Sequence, residues 1–199
     1  MKLDHTKSAK VNLLALVNQT NSTSLAEGDI DFGTPSVIAG ASLPHDKTTA
    51  NTNLAVNTKV TMTGKGNAAG SVEIQYRRIS IRKQYQFRIG ESTNPTLTVI
   101  KSKIPTFDES SIKSLLVSEL KLIESSVDIT VTINTGDNAS ATITAKENDL
   151  VYVADETAFM ITVQRDDKIQ LPEVITTTSL SGFEYDLEYA AKNGYTFSG

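Results

Sequence analysis

Residues 127–133 read Val-Asp-Ile-Thr-Val-Thr-Ile, apolar and polar in strict alternation. Successive side chains of a strand point to opposite faces, so this run fits a strand with one buried and one solvated face, as in an antiparallel sheet. The signal recurs in short pieces, and further strands are expected at 54–63, 71–76, 141–145, 150–153 and 158–164. Turn residues separate them: Thr135-Gly136-Asp137-Asn138, Glu147-Asn148-Asp149 and Ala154-Asp155-Glu156. Gly64 to Gly70 reads as the long tip of a hairpin spanning 54–76. Ile30 and Phe32, alternating with Asp29 and Asp31, mark a further strand fragment.

Two segments switch to helical spacing. The first runs from Ser8 to Asn18, with Ser8 as cap and Val11 and Leu14 on one face. The second covers 109–124, with Asp108 as cap and Ile112, Leu115, Leu116, Leu120 and Ile123 apolar. Both are short and must be held by packing rather than by propensity. The expected fold class is therefore α+β, mainly β, in two small modules. Each module is a short helix packed on antiparallel strands in a sandwich-like arrangement. Residues 1–90 form the first module, 91–107 a linker, and 108–199 the second with an aromatic and acidic tail. A gapped internal repeat supports the division, aligning Leu13-Leu14 with Leu115-Leu116 and Asp29-Ile30 with Asp128-Ile129.

The stretch 71–90 carries a parity change. Val72, Ile74 and Tyr76 are even-numbered, whereas Ile79, Ile81, Tyr85, Phe87 and Ile89 are odd. A slip of one residue turns every side chain to the other face, so a bulge or a change of sheet is expected at Arg77-Arg78. Read as a continuing strand, the segment then places Arg78, Arg82, Gln84, Gln86 and Arg88 on one outward face.

Composition narrows the chemistry. The 199 residues include no Cys, no Trp and only two His. Disulfide frameworks, zinc–thiolate sites and cysteine nucleophiles are excluded. His5 and His45 stand apart with no acid or second His at ligand spacing, so neither a metal site nor a Ser-His-Asp triad is expected. Asp29-Ile30-Asp31 and Asp166-Asp167 supply too few oxygens in sequence for a calcium loop. The glycines at 64–70 lack phosphate-loop spacing and lie between strands. The reading is of a protein that is not an enzyme and carries no cofactor. A net charge of -4 argues against nucleic acid as partner. No run approaches the ~20 apolar residues of a membrane span. The apolar run Val11–Val17 is too short for a secretory signal and is interrupted by Asn12, and the three Asn-x-Ser/Thr triplets read as chance matches.

Charge is unevenly spread. Between Ser71 and Gly90 five bases oppose one acid, and between Glu147 and Tyr189 ten acids oppose two bases. Such a chain is complementary to itself: the two patches pair within one chain, stand as solvated faces, or meet head-to-tail between copies. Head-to-tail association is the expectation, and it sets Arg78, Arg82 and Arg88 against Glu184, Asp186 and Glu188 of another copy. The polar loop 40–53 is expected to be mobile in a monomer and to order against a neighbour.

The order Leu13-Leu14…Asn18, Leu25…Asp29-Ile30, then Gly70-Ser71-Val72-Glu73-Ile74-Gln75-Tyr76-Arg77-Arg78-Ile79 resembles a repeat domain of virion structural proteins of large tailed bacteriophages. In that family a short helix precedes L-x-x-x-D-I, and a strand of the form G-S-V-x-[IV]-x-Y-x-R follows. The match covers residues 9–80, with a fainter copy at 110–165 that lacks the second motif. The resemblance implies a non-enzymatic structural component of a virion, made in the host cytoplasm. It would assemble in many copies with itself and other virion proteins, at the capsid surface or head–neck before tail or baseplate. A carbohydrate- or host-receptor-binding β-module is the alternative.

Overall fold

The computed structural model describes residues 1–41, 55–89, 95–154, 158–166 and 175–179, without the side chains of 87–89. The chain divides into two compact units, Met1–Asp167 and Lys168–Gly199. Of the second, only the exposed, irregular stretch 175–179 is described. The expected loop at 40–53 and the tail beyond 179 fall largely or wholly outside the described residues.

The fold class is α+β and mainly β. In chain order the elements are α1 (Ala9–Asn21), β1 (Ile30–Phe32), β2 (Ser36–Val37), β3 (Thr58–Gly64), β4 (Ser71–Tyr76), β5 (Ile79–Ser80), α2 (Ile81–Ile89), β6 (Thr96–Ile100), α3 (Glu109–Leu120), β7 (Val127–Ile133), β8 (Asn138–Ala145), β9 (Tyr152–Val153) and β10 (Phe159–Asp166). Strand β3 pairs antiparallel with β4 on one side and with β1 and β2 on the other. A second sheet runs β6-β10-β8-β7, antiparallel except for the parallel pair β6–β10. Two-residue strands β5 and β9 pair in parallel. Thr96–Ile100, inside the expected linker, is thus a strand of the second sheet.

Both long helices are capped as their sequences require. The Ser8 hydroxyl accepts the Val11 N–H at 3.3 Å, and the Asp108 carboxylate accepts that of Ser111 at 2.8 Å. Each cap satisfies a first-turn donor that has no partner inside the helix. Each helix ends on a left-handed residue, Ser22 or Lys121, and α3 stops short of the expected 124. Each is followed by a 3-10 turn, Glu27–Asp29 or Glu124–Ser126, that leads straight into a strand. The unit helix, 3-10 turn, strand therefore occurs twice. The strands that complete the two sheets differ in order and direction.

The larger core lies where Ile112, Leu116 and Leu120 of α3 meet Ala139, Ala141, Ile143, Ile161 and Val163 of the second sheet. Burial of each large aliphatic side chain stabilises the fold by ~1.5–3 kcal/mol. A smaller core joins Leu13 of α1 to Val60 and Tyr76. Ile81 and Tyr85 belong to the larger core. The chain therefore passes from one core to the other at Arg77-Arg78, where the parity change sits. Beyond that point the expected strand is instead the helix α2, with the Ser80 hydroxyl accepting the Lys83 N–H at 3.1 Å. Ile81, Tyr85 and Ile89 share odd parity, yet they also fall at i, i+4 and i+8. Periodicity alone does not separate the two readings.

Candidate functional site

Arg78 is a buried charge held by a network of hydrogen bonds, and it faces inward. It is 6% exposed. Its Nε donates to Thr58 Oγ1 at 2.9 Å and its Nη1 to the carbonyls of Asp149 at 2.9 Å and Tyr152 at 3.4 Å. Its backbone N–H donates to Asn57 Oδ1, which also accepts the Thr58 hydroxyl, and Asn57 Nδ2 donates to the Arg78 carbonyl. The Asp149 carboxylate turns away to accept the N–H groups of Val151 and Tyr152. Burial lowers the Arg78 pKa from its ordinary value, opposed by Tyr76 and Asp149. The guanidinium bolts the first sheet to the 149–152 turn through neutral acceptors. The expectation that Arg78 faces another chain is corrected: its outward parity rested on a strand continuing past it, where the chain forms only the two-residue β5 and then α2, and its acceptors come from distant segments.

The other expected interface residues are not brought together. Arg82 is partly buried on α2 and its Nη2 donates to the Ala158 carbonyl at 3.1 Å. The Arg88 side chain lies outside the described residues, as do Glu184, Asp186 and Glu188.

The surface that the folding does assemble is the outer face of the second sheet. Its register aligns Thr132, Ser140, Thr162 and Thr96 in one row across all four strands. Thr130, Thr142 and Met160 form the next row, and Thr98 pairs with Gln164 beside them. Thr130, Thr132, Thr144, Met160, Gln164, Thr96 and Thr98 are exposed, and Met160 is 53% exposed. The opposite face carries Ala139, Ala141, Ile143, Phe159, Ile161 and Val163, all buried. The signal for this surface was present in the Thr-x-Thr spacing at 96–98, 130–132 and 142–144, but sequence reasoning used it only to assign strands. A face of uncharged hydroxyls can both donate and accept hydrogen bonds, and its desolvation costs far less than that of a charged face.

A shallow groove of about 480 Å³ follows α3, where Ser110, Ser114 and Ser118 line the helix between Lys103 and Glu119. Arg165 donates to the carbonyls of Ile104 and Pro105, two residues of the groove's lining. The guanidinium holds the Asp137 carboxylate at 2.9 Å and the Pro105 carbonyl at 3.0 Å, and lies 5.4 Å from the Phe107 ring centroid. Among the described residues no three His, Asp or Glu side chains gather closely enough to hold a metal ion. No described helix is long and apolar enough to cross a membrane.

No curated protein matches the chain, and no solved structure does. A family model matches residues 2–196, nearly the whole length. The chain therefore belongs to DUF7941, a family of unknown function.

Proposed function

We propose that the protein is a non-enzymatic structural component of a tailed-phage virion, assembling in many copies through protein–protein contacts. The observation that carries this reading is the hydroxyl-covered face of the second sheet, which no described element covers. A broad, hydroxyl-rich, hydrogen-bonding face on a rigid sheet, charged at Asp128 of β7, suits repeated docking, because little side-chain entropy is lost when short threonines are fixed. The resemblance of residues 9–80 to virion repeat domains gives the reading its setting, at the capsid surface or head–neck before tail or baseplate. The same hydroxyls favour one second reading, a module that binds carbohydrate or a host receptor, since they match the donors and acceptors of a sugar. Electron microscopy of the purified chain, beside a glycan array, separates the two. Ordered rings, lattices or multimers are the expected result. A persistent monomer that binds glycans overturns the assembly reading.

A further inference from the structure

Strand β7 closes one side of the second sheet, and among the described residues nothing pairs with its outer edge. The Asn134 N–H bonds to the Asn138 carbonyl and the Lys146 N–H to that of Ser126. Antiparallel ladders alternate, so the amides of 128, 130 and 132 face β8 and those of Ile129, Val131 and Ile133 face outward. Natural edges are blunted by brevity, charge, proline or a bulge. Strands β1 and β2 are three and two residues long. Strand β4 carries Glu73, tied to Lys59, at the centre of its open side. Strand β6 has five residues and starts directly after Pro95. Strand β7 is seven residues long and contains no Lys, Arg, Pro or Gly, and its register with β8 runs without a bulge. Ile133 is 45% exposed.

The geometry points to β7 as the seam between two copies of this chain, paired antiparallel about a two-fold axis at Val131; this rests on the assembly reading above and names its contact. In that register Ile129 of one copy faces Ile133 of the other, Thr130 faces Thr132, and Asp128 faces Asn134. No charge meets a like charge. The outward amides of 129, 131 and 133 fall opposite one another, so the ladder hydrogen bonds continue across the seam. Exposed Ile133 gains an apolar neighbour on the α3 side, and the hydroxyl face runs on through both sheets. Centring β4 on its own open edge would instead oppose Glu73 to Glu73, which disfavours that strand as the seam. Pairing of sheet edges is an established mode of recognition, with the main chain giving affinity and the alternate side chains giving register.

The test uses the full chain, sedimentation velocity and hydrogen exchange across a concentration series. Protection of the 129, 131 and 133 amides is expected to rise with concentration, while 130 and 132 stay protected throughout. Thr130 and Thr132 are exposed, so paired substitutions there leave the core intact. Thr130→Lys with Thr132→Lys opposes like charges twice and is expected to weaken association roughly tenfold or more. Thr130→Glu with Thr132→Lys opposes unlike charges in the same positions and is expected to retain it. Equal association of both variants and wild type places self-association on another surface and overturns the seam while leaving the assembly reading. Protection of 129, 131 and 133 in a strict monomer shows that the chain's own remaining segments cover the edge, which also overturns the seam. A monomer with those amides unprotected at every concentration removes both the seam and self-assembly.

Discussion

The side-chain amide of Asn57 pairs with the backbone of Arg78 as a neighbouring strand would. Asn57 Oδ1 accepts the Arg78 N–H at 2.8 Å, and Asn57 Nδ2 returns a bond to the Arg78 carbonyl at 3.0 Å. The chain leaves one sheet at this point, and the two backbone groups would otherwise be buried without partners. Asn57 is 3% exposed. Asn57→Ala is therefore expected to destabilise the fold by about 2–4 kcal/mol, since each abandoned buried polar group costs ~1–3 kcal/mol. Urea unfolding measures it. Arg78→Leu removes the guanidinium from the same cluster, and the double variant should lose less than the sum of the singles. Strict additivity would show that the two residues do not act as one unit.

Two buried tyrosines should respond oppositely to loss of the hydroxyl. Tyr152 Oη accepts the Ile123 N–H at 3.2 Å, and Tyr152 is fully buried. Tyr152→Phe strands that amide and is expected to cost about 1–3 kcal/mol. The Tyr76 hydroxyl is buried with no hydrogen-bond partner among the described residues. Tyr76→Phe removes an unsatisfied group and is expected to be neutral or stabilising. Thermal melts of the two variants check the sign. A loss of stability in Tyr76→Phe equal to that in Tyr152→Phe would contradict this assignment.

Much of this fold is legible in the sequence, for local reasons. Strand 127–133 is read to the residue because one side faces the core and the other water. Ser8 and Asp108 are read as caps because their oxygens serve amides three residues on. The helix at 81–89 is not legible, because Ile81, Tyr85 and Ile89 satisfy both periods. Its marker, Ser80 capping Lys83, competes with a strong β pattern upstream. The role of Arg78 is not legible at all: its acceptors lie at 58, 149 and 152, and only the folded chain brings them together. Strand β7 was readable as a strand, but its position at a sheet edge depends on the order β6-β10-β8-β7, which alternation does not encode.

Alkaline pH should unfold the protein in a defined window. Burial raises the pKa of Tyr76 to about 12, with Arg78 opposing and Asp149 adding. Burial likewise raises Tyr152 to about 12, with the Ile123 N–H opposing and Asp149 adding. Tyr85 is raised by burial as well. Below pH ~10 these phenols are neutral in both folded and unfolded chains, and their contribution to stability is complete. Above that value the unfolded chain releases protons that the folded chain keeps, so stability falls as pH rises. The fall amounts to about 1.4 kcal/mol per pH unit for each such group and is complete once pH passes the folded value. Absorbance of the phenolate against pH, recorded beside circular dichroism, is the measurement. Of the six tyrosines, Tyr76 and Tyr152 should ionise only near pH 12 or as the fold opens. Ionisation of all six near pH 10 with the fold intact would contradict it.

The Arg165 clamp supplies the last prediction. Asp137 stands in a left-handed conformation, φ 56°, just after Gly136 at φ 71°. It is held there by both ends: its carbonyl accepts the Arg165 N–H at 2.9 Å, and its carboxylate takes Nη2 at 2.9 Å and Nε at 3.3 Å. The same guanidinium reaches the Pro105 carbonyl, so one side chain ties the β7–β8 turn to the segment that enters α3. Arg165→Lys keeps the charge but cannot fork to two partners, and is expected to cost about 1–2 kcal/mol. Asp137→Asn keeps a residue that tolerates the left-handed backbone and removes only the charge. Asp137→Ala removes both and should lose more. The order Asn, then Ala, in increasing loss of thermal stability is the expected outcome. Added salt should narrow the gap between wild type and Asp137→Asn only partly, because the Arg165 side chain is 12% exposed and weakly screened. If Asn and Ala are equivalent, the backbone conformation of the turn contributes nothing. If 1 M salt abolishes the wild-type advantage, the pair is an ordinary surface contact and the clamp does not hold the segment.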